Sequence, residues 1–115
     1  MHVLRESDAC WRLEGSDQPA LVGLWVSTEH LTVGTLQLRP GQRTDVQIHG
    51  GDESLYLLEG TLQMRVPENR GERLFELTPG DGFYLPEGVP HQYYNISGQP
   101  LKLIFAVAPR YLPEA

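Results

Sequence analysis

Two histidines, a glutamate and a glutamine stand at spacings that suit a metal centre. Gln47 and His49 lie two apart, so on an extended strand, where side chains alternate between faces, both point to one side, and Asp45 shares it. Glu53 follows the short Gly50-Gly51-Asp52 turn, at the start of the next extended run. A hairpin there gathers Gln47, His49 and Glu53 around one point, and His91, just past a turn rich in Pro and Gly, completes the set. Two imidazoles and one carboxylate suit a divalent transition metal: with positions left open they form the set used for non-heme iron, and zinc accepts the same atoms. Gln47 adds a neutral carbonyl oxygen, a weaker and harder donor than a third imidazole. The expected cofactor is therefore one divalent transition metal ion: Zn, Fe, Mn or Ni.

Such a cluster needs a rigid frame of strands, and the rest of the sequence provides one. Twelve glycines and nine prolines punctuate the 115 residues, and the runs between them alternate with a period of two. The pattern is all-β. Strands are expected over Leu21–Val26, Leu31–Leu38, Asp45–His49, Ser54–Leu58, Thr61–Val66, Arg73–Leu77, Gly82–Leu85, His91–Asn95 and Leu101–Ala108. Turn chemistry separates them at Arg39-Pro40-Gly41-Gln42, Glu59-Gly60, Asn69-Arg70-Gly71, Thr78-Pro79-Gly80-Asp81 and Pro86-Glu87-Gly88. Gly41, Gly60, Gly80 and Gly88 are expected at positive φ. A chain of this length makes one domain, with residues up to about 18 as an N-terminal arm.

Composition excludes several classes of function. Nine Lys and Arg against fifteen Asp and Glu give a net charge of -6, and Lys102 is the one lysine. No basic surface is available for a phosphate backbone, so no nucleic-acid partner is expected. The longest apolar run, Ala20 to Val26, is too short to span a bilayer, so no membrane segment is expected. A single cysteine, Cys10, cannot form an internal disulfide. With no apolar leader after Met1, it points to a reducing, cytoplasmic setting.

Two segments resemble the cupin family. Gly41 to Gly60 reads Gly, five residues, Gln47-Ile48-His49, three residues, Glu53, six residues, Gly60. It is similar to the first cupin motif, with Gln47 where the family usually has the first histidine of His-x-His. Gly80 to Asn95 matches every defined position of the second: Gly, five residues, Pro86-Glu87-Gly88, two residues, His91, three residues, Asn95. The resemblance implies a double-stranded β-helix, a jelly-roll barrel in a single domain over 1–115, holding a metal near its mouth. The implied ligands are Gln47, His49, Glu53 and His91. The Gln-x-His opening also looks like the zinc site of the type I phosphomannose isomerases.

The cupin scaffold carries many chemistries. The expected function is that of a metal-dependent enzyme on a small molecule, isomerase-like, epimerase-like or dioxygenase-like. The alternatives are a non-catalytic barrel that binds or senses a sugar-like molecule, and a metal-free accessory barrel. Tyr93 and Asp45 are the candidate acid or base groups, Arg43 and Tyr93 the candidate substrate contacts, and Gln37 a further pocket-lining residue. Asn95 is expected to hydrogen-bond backbone across the barrel. The strand Leu101–Ala108 is apolar on both faces from Leu103 onward, so its outer face needs cover. A homodimer through Trp11, Trp25, Tyr56, Leu58 and Tyr94 supplies it; the N-terminal arm folding back is the alternative.

Overall fold

In a computed structural model of the chain, described over residues 1–109, the strands form two antiparallel sheets of a jelly-roll barrel. A 3-10 turn at Glu6–Asp8 precedes β1 (Cys10–Glu14), β2 (Ala20–Ser27), β3 (Thr32–Leu38), β4 (Asp52–Glu59), β5 (Leu62–Glu68), β6 (Gly71–Leu77), β7 (Gly82–Leu85), β8 (Gln92–Asn95) and β9 (Leu101–Ala108). The larger sheet runs in the order β1-β2-β3-β9-β4-β7 and the smaller β6-β5-β8. Among the described residues no helix is long and apolar enough to cross a membrane.

The period of two read from the sequence is the period of burial. Along β9, Leu101, Leu103, Phe105 and Val107 point inward and are buried, while Lys102, Ile104 and Ala106 between them are half-covered. Along β4 the buried set is Glu53, Leu55 and Leu57. Each buried Leu or Phe contributes roughly 1.5–3 kcal/mol, whereas a carboxylate on that same face costs several kcal/mol unless it is paired. Glu53 is thus fixed inward by the register of its strand, and pairs with Leu85 on β7 and Val107 on β9.

The structure corrects one sequence expectation and adds one strand to those expected. Asp45–His49 is not a regular strand: it is an extended segment bridged to β8 and its approach at Arg43 to Tyr94 and at Gln47 to His91. Within the N-terminal arm, where the sequence predicts no strand, Cys10–Glu14 adds to the sheet edge beside β2. Trp11 pairs with Gly23, and its ring fills the space where a Cβ at Gly23 would sit, 2.7 Å from Trp11 Cζ3. That close packing has no periodic signature in five residues. Glu6 also reaches the outer face of β9, with Oε1 2.6 Å from Lys102 Nζ. The four expected glycines do have positive φ, at 74°, 85°, 97° and 78° in chain order.

Candidate metal centre

Two tight turns deliver the site. A Cβ on Gly51 would lie 2.4 Å from the Ala108 carbonyl oxygen, so only glycine lets the chain turn against the end of β9 and start β4 with Glu53 facing inward. The second turn, Pro86-Glu87-Gly88, is clipped to that start. Asp52 accepts from the Glu87 amide at 2.9 Å and from the Tyr84 hydroxyl at 3.0 Å, and Gly88 donates its amide to the His49 carbonyl at 3.2 Å. Gly88, at φ 78°, supplies the left-handed residue that this reversal requires.

His91 follows three residues later and is locked by its backbone. It exchanges both main-chain hydrogen bonds with Gln47: its carbonyl accepts from the Gln47 amide at 2.7 Å, and its amide donates to the Gln47 carbonyl at 2.9 Å. Residues paired in this way project side chains to the same face, so Gln47, which is half-buried, shares the face of His91.

His49, Glu53 and His91 converge. Their nearest donor atoms all lie within 4.8 Å of one another, and the residues are 7%, 2% and 1% exposed. His49 Nε2 is 3.1 Å from Glu53 Oε1, and His91 Nε2 is 3.8 Å from Glu53 Oε2. The imidazole centroids are 5.1 Å apart. His91 Nδ1 sits 2.8 Å from the Val89 carbonyl oxygen. A carbonyl can only accept, so Nδ1 carries the proton and Nε2 faces the cluster with its lone pair. Burial, helped by neighbouring His49, holds His91 below the usual 6.5 against the opposing pull of Glu53 and the Val89 bond. A neutral imidazole is the form that ligates a metal.

Tyr93 joins from the same face of β8. Its hydroxyl donates to Glu53 Oε2 and lies 3.4 Å from His91 Nε2. The donor set fits a divalent transition metal: a buried carboxylate between two imidazoles, one with its tautomer already fixed.

Three other sequence candidates fall elsewhere. Asp45 is exposed and accepts from the Ser16 amide at 2.9 Å and the Ser16 hydroxyl at 3.1 Å, so it ties down the loop before β2 instead of facing the cluster. Arg43 is exposed and pairs with Tyr94, which alternates away from the buried Tyr93, and so shares the outer face of β8. Gln37 lies between inward Leu36 and Leu38 on β3 and lines a separate surface groove beside Leu13 and Pro40. Asp45 and Arg43 sit on the irregular segment before β4, where strand alternation does not set the facing of side chains, while Gln37 is turned outward by the regular alternation of β3. Asn95 bonds backbone across the barrel, donating to the Arg39 carbonyl at 3.0 Å and the Gln99 carbonyl at 2.8 Å. The roles of Val89, Asp52 and Tyr84 leave no sequence signal, since a carbonyl acceptor or a clip between turns depends on the folded register.

The family described as Cupin domain matches residues 34–107, a span containing Gln47, His49, Glu53, His91 and Tyr93. Human 3-hydroxyanthranilate 3,4-dioxygenase is 36% identical over 77 residues, covering 67% of this chain and 27% of that protein. The chain spans between 18% and 57% of the length of the curated relatives it matches. Among solved structures, the TT1209 protein from Thermus thermophilus is 28% identical with a TM-score of 0.74, covering 96% of this chain and 100% of that one. The polyketide cyclase RemF from Streptomyces resistomycificus shares the fold at 20% identity, with a TM-score of 0.76 over 99% of this chain and 88% of its own.

Proposed function

The chain belongs to the cupin domain family, and from that premise we propose that it is a metal-dependent enzyme acting on a small organic molecule by dioxygenase-like chemistry at iron(II). The convergence of His49, Glu53 and His91 in a buried cluster carries the reading, because two imidazoles and one carboxylate with open positions are the set suited to non-heme iron. The dioxygenase relatives support the reaction class. Gln47 is the proposed fourth donor, on the ground that it shares the face of His91.

Iron(II) in such a set supplies a Lewis-acidic, redox-active centre with positions open to substrate. The chain's own residues supply the rest. Val89 fixes the His91 tautomer, Glu53 offsets the metal's charge, and Leu85 and Val107 flank Glu53 with apolar walls that strengthen these electrostatic contacts. Tyr93 places a hydroxyl proton at Glu53 Oε2 beside the cluster. The proposed substrate class is a compact molecule with two adjacent oxygen or nitrogen donors, as 3-hydroxyanthranilate has.

The Gln-x-His opening supports a second reading, a zinc isomerase. The test is oxygen uptake by anaerobically loaded iron(II) protein with 3-hydroxyanthranilate and with catechol. Substrate-dependent uptake, absent from zinc-loaded protein, is expected. No uptake, with sugar isomerisation by the zinc form, would replace the first reading with the second. We further propose a homodimer through exposed Tyr56 and Leu58 and a reducing, cytoplasmic setting for Cys10.

A further inference from the structure

We infer that Tyr93 is a positioning residue that divides the two oxygens of Glu53, keeping Oε2 on its hydroxyl so that Oε1 alone faces the metal. The inference deepens the metal reading above and rests on it.

Tyr93 is held from several directions. Its amide donates to Thr44 Oγ1 at 3.1 Å and its carbonyl accepts from the Thr44 amide at 2.9 Å. Across the smaller sheet it pairs with buried Met64, and its ring stands edge-on to His91 at 81°, with centroids 5.3 Å apart. The ring therefore has one direction in which to aim its hydroxyl, and that direction meets Glu53 Oε2. The other carboxylate oxygen, Oε1, turns toward His49. The two oxygens are thus already unequal in the folded protein.

The consequence concerns how many positions remain open. A carboxylate that binds through both oxygens occupies two positions, and one that binds through a single oxygen occupies one. By engaging Oε2, Tyr93 leaves a further position free beside the histidines. A substrate that presents two neighbouring donor atoms needs two adjacent open positions, so the Tyr93–Glu53 bond selects for bidentate ligands.

The test uses cobalt(II) as a visible probe of coordination in the full chain, with acetohydroxamate as a ligand carrying two adjacent oxygens. In Tyr93→Phe, Glu53 is expected to bind through both oxygens: the cobalt d–d bands weaken as coordination number rises, and acetohydroxamate binds roughly tenfold more weakly, within the range of outer-shell substitutions. Cobalt bands and acetohydroxamate affinity equal to those of the wild type overturn the inference. A crystal structure of the cobalt-loaded wild type decides the matter without the variant. Oε1 bonded to cobalt with Oε2 still on Tyr93 is the expected result, and both oxygens on the metal contradict it. Stoichiometric cobalt with a two-oxygen Glu53 removes this inference and leaves the metal reading standing; absence of cobalt from the site removes both.

Discussion

Gln47 and His91 form a reciprocal main-chain pair, each donating its amide to the other's carbonyl, at 2.7 and 2.9 Å. This pairing sets a residue from the first motif beside one from the second, across a stretch of sequence that holds β4 to β7. Since paired residues share a face, the nature of the side chain at position 47 is expected to govern metal affinity directly. Gln47→His offers an imidazole in place of an amide oxygen and is predicted to tighten zinc or iron(II) binding about tenfold, or ~1.4 kcal/mol. Gln47→Ala is predicted to weaken it. Competition titration with a chromophoric chelator measures both. Equal affinity in all three proteins would show that the side chain at position 47 is turned away from the metal.

The state of His91 gives a pH prediction for the metal-free protein. Its folded pKa is lowered from 6.5, chiefly by burial, so in the window between the folded value and 6.5 the unfolded chain binds more protons than the native one. Stability therefore rises with pH through that window and is lost as pH falls below 6.5 toward the folded value. Urea midpoints of chelator-treated protein on either side of that pH test this, with His91→Asn as the comparison. The variant is predicted to show a shallower slope. An equal slope would assign the acid sensitivity to the carboxylates instead.

Two glycines separate backbone strain from packing. Gly88 has φ 78° and open space where a Cβ would go, while Gly98 has the same open space without a positive φ. Gly88→Ala is predicted to cost about 1 kcal/mol through its left-handed backbone alone, and Gly98→Ala to be neutral or slightly stabilising. Chemical denaturation measures the difference. Because the Gly88 turn delivers His91, Gly88→Ala should also weaken metal binding, whereas Gly98→Ala should not.

Much of the frame is legible in the sequence, for reasons that differ between elements. β5 alternates apolar and polar residues from Leu62 to Val66, and β4 and β9 carry an apolar residue at every second position of the inner face, Leu55 and Leu57 in one and Leu101, Leu103, Phe105 and Val107 in the other, enough for a period of two to identify the strands. His49, Glu53 and His91 are legible because their types and motif spacing are unusual in combination. The segment around Asp45 misleads because alternation in Asp45-Val46-Gln47-Ile48-His49 mimics a strand, while its backbone bonds go only to isolated positions near β8. β1 is hidden because Trp11 packs on the bare backbone of Gly23, a contact that alternation cannot encode. The Tyr93–Glu53 bond depends on β8 lying across the barrel from β4, a relation between sheets that no local pattern states.

His49, Glu53 and His91 are proposed to hold one metal ion. The most direct measurement is metal content by plasma mass spectrometry after anaerobic loading and desalting, on wild type and His91→Ala, with circular dichroism to establish that both are folded. One equivalent of iron or zinc in the wild type and a substoichiometric content in folded His91→Ala are predicted, since loss of one of three strong donors weakens the site by more than the roughly tenfold of an outer-shell change and desalting strips a weakly held ion. A wild type that retains no metal, or a His91→Ala protein that retains a full equivalent, would mean that these three residues do not form a metal site.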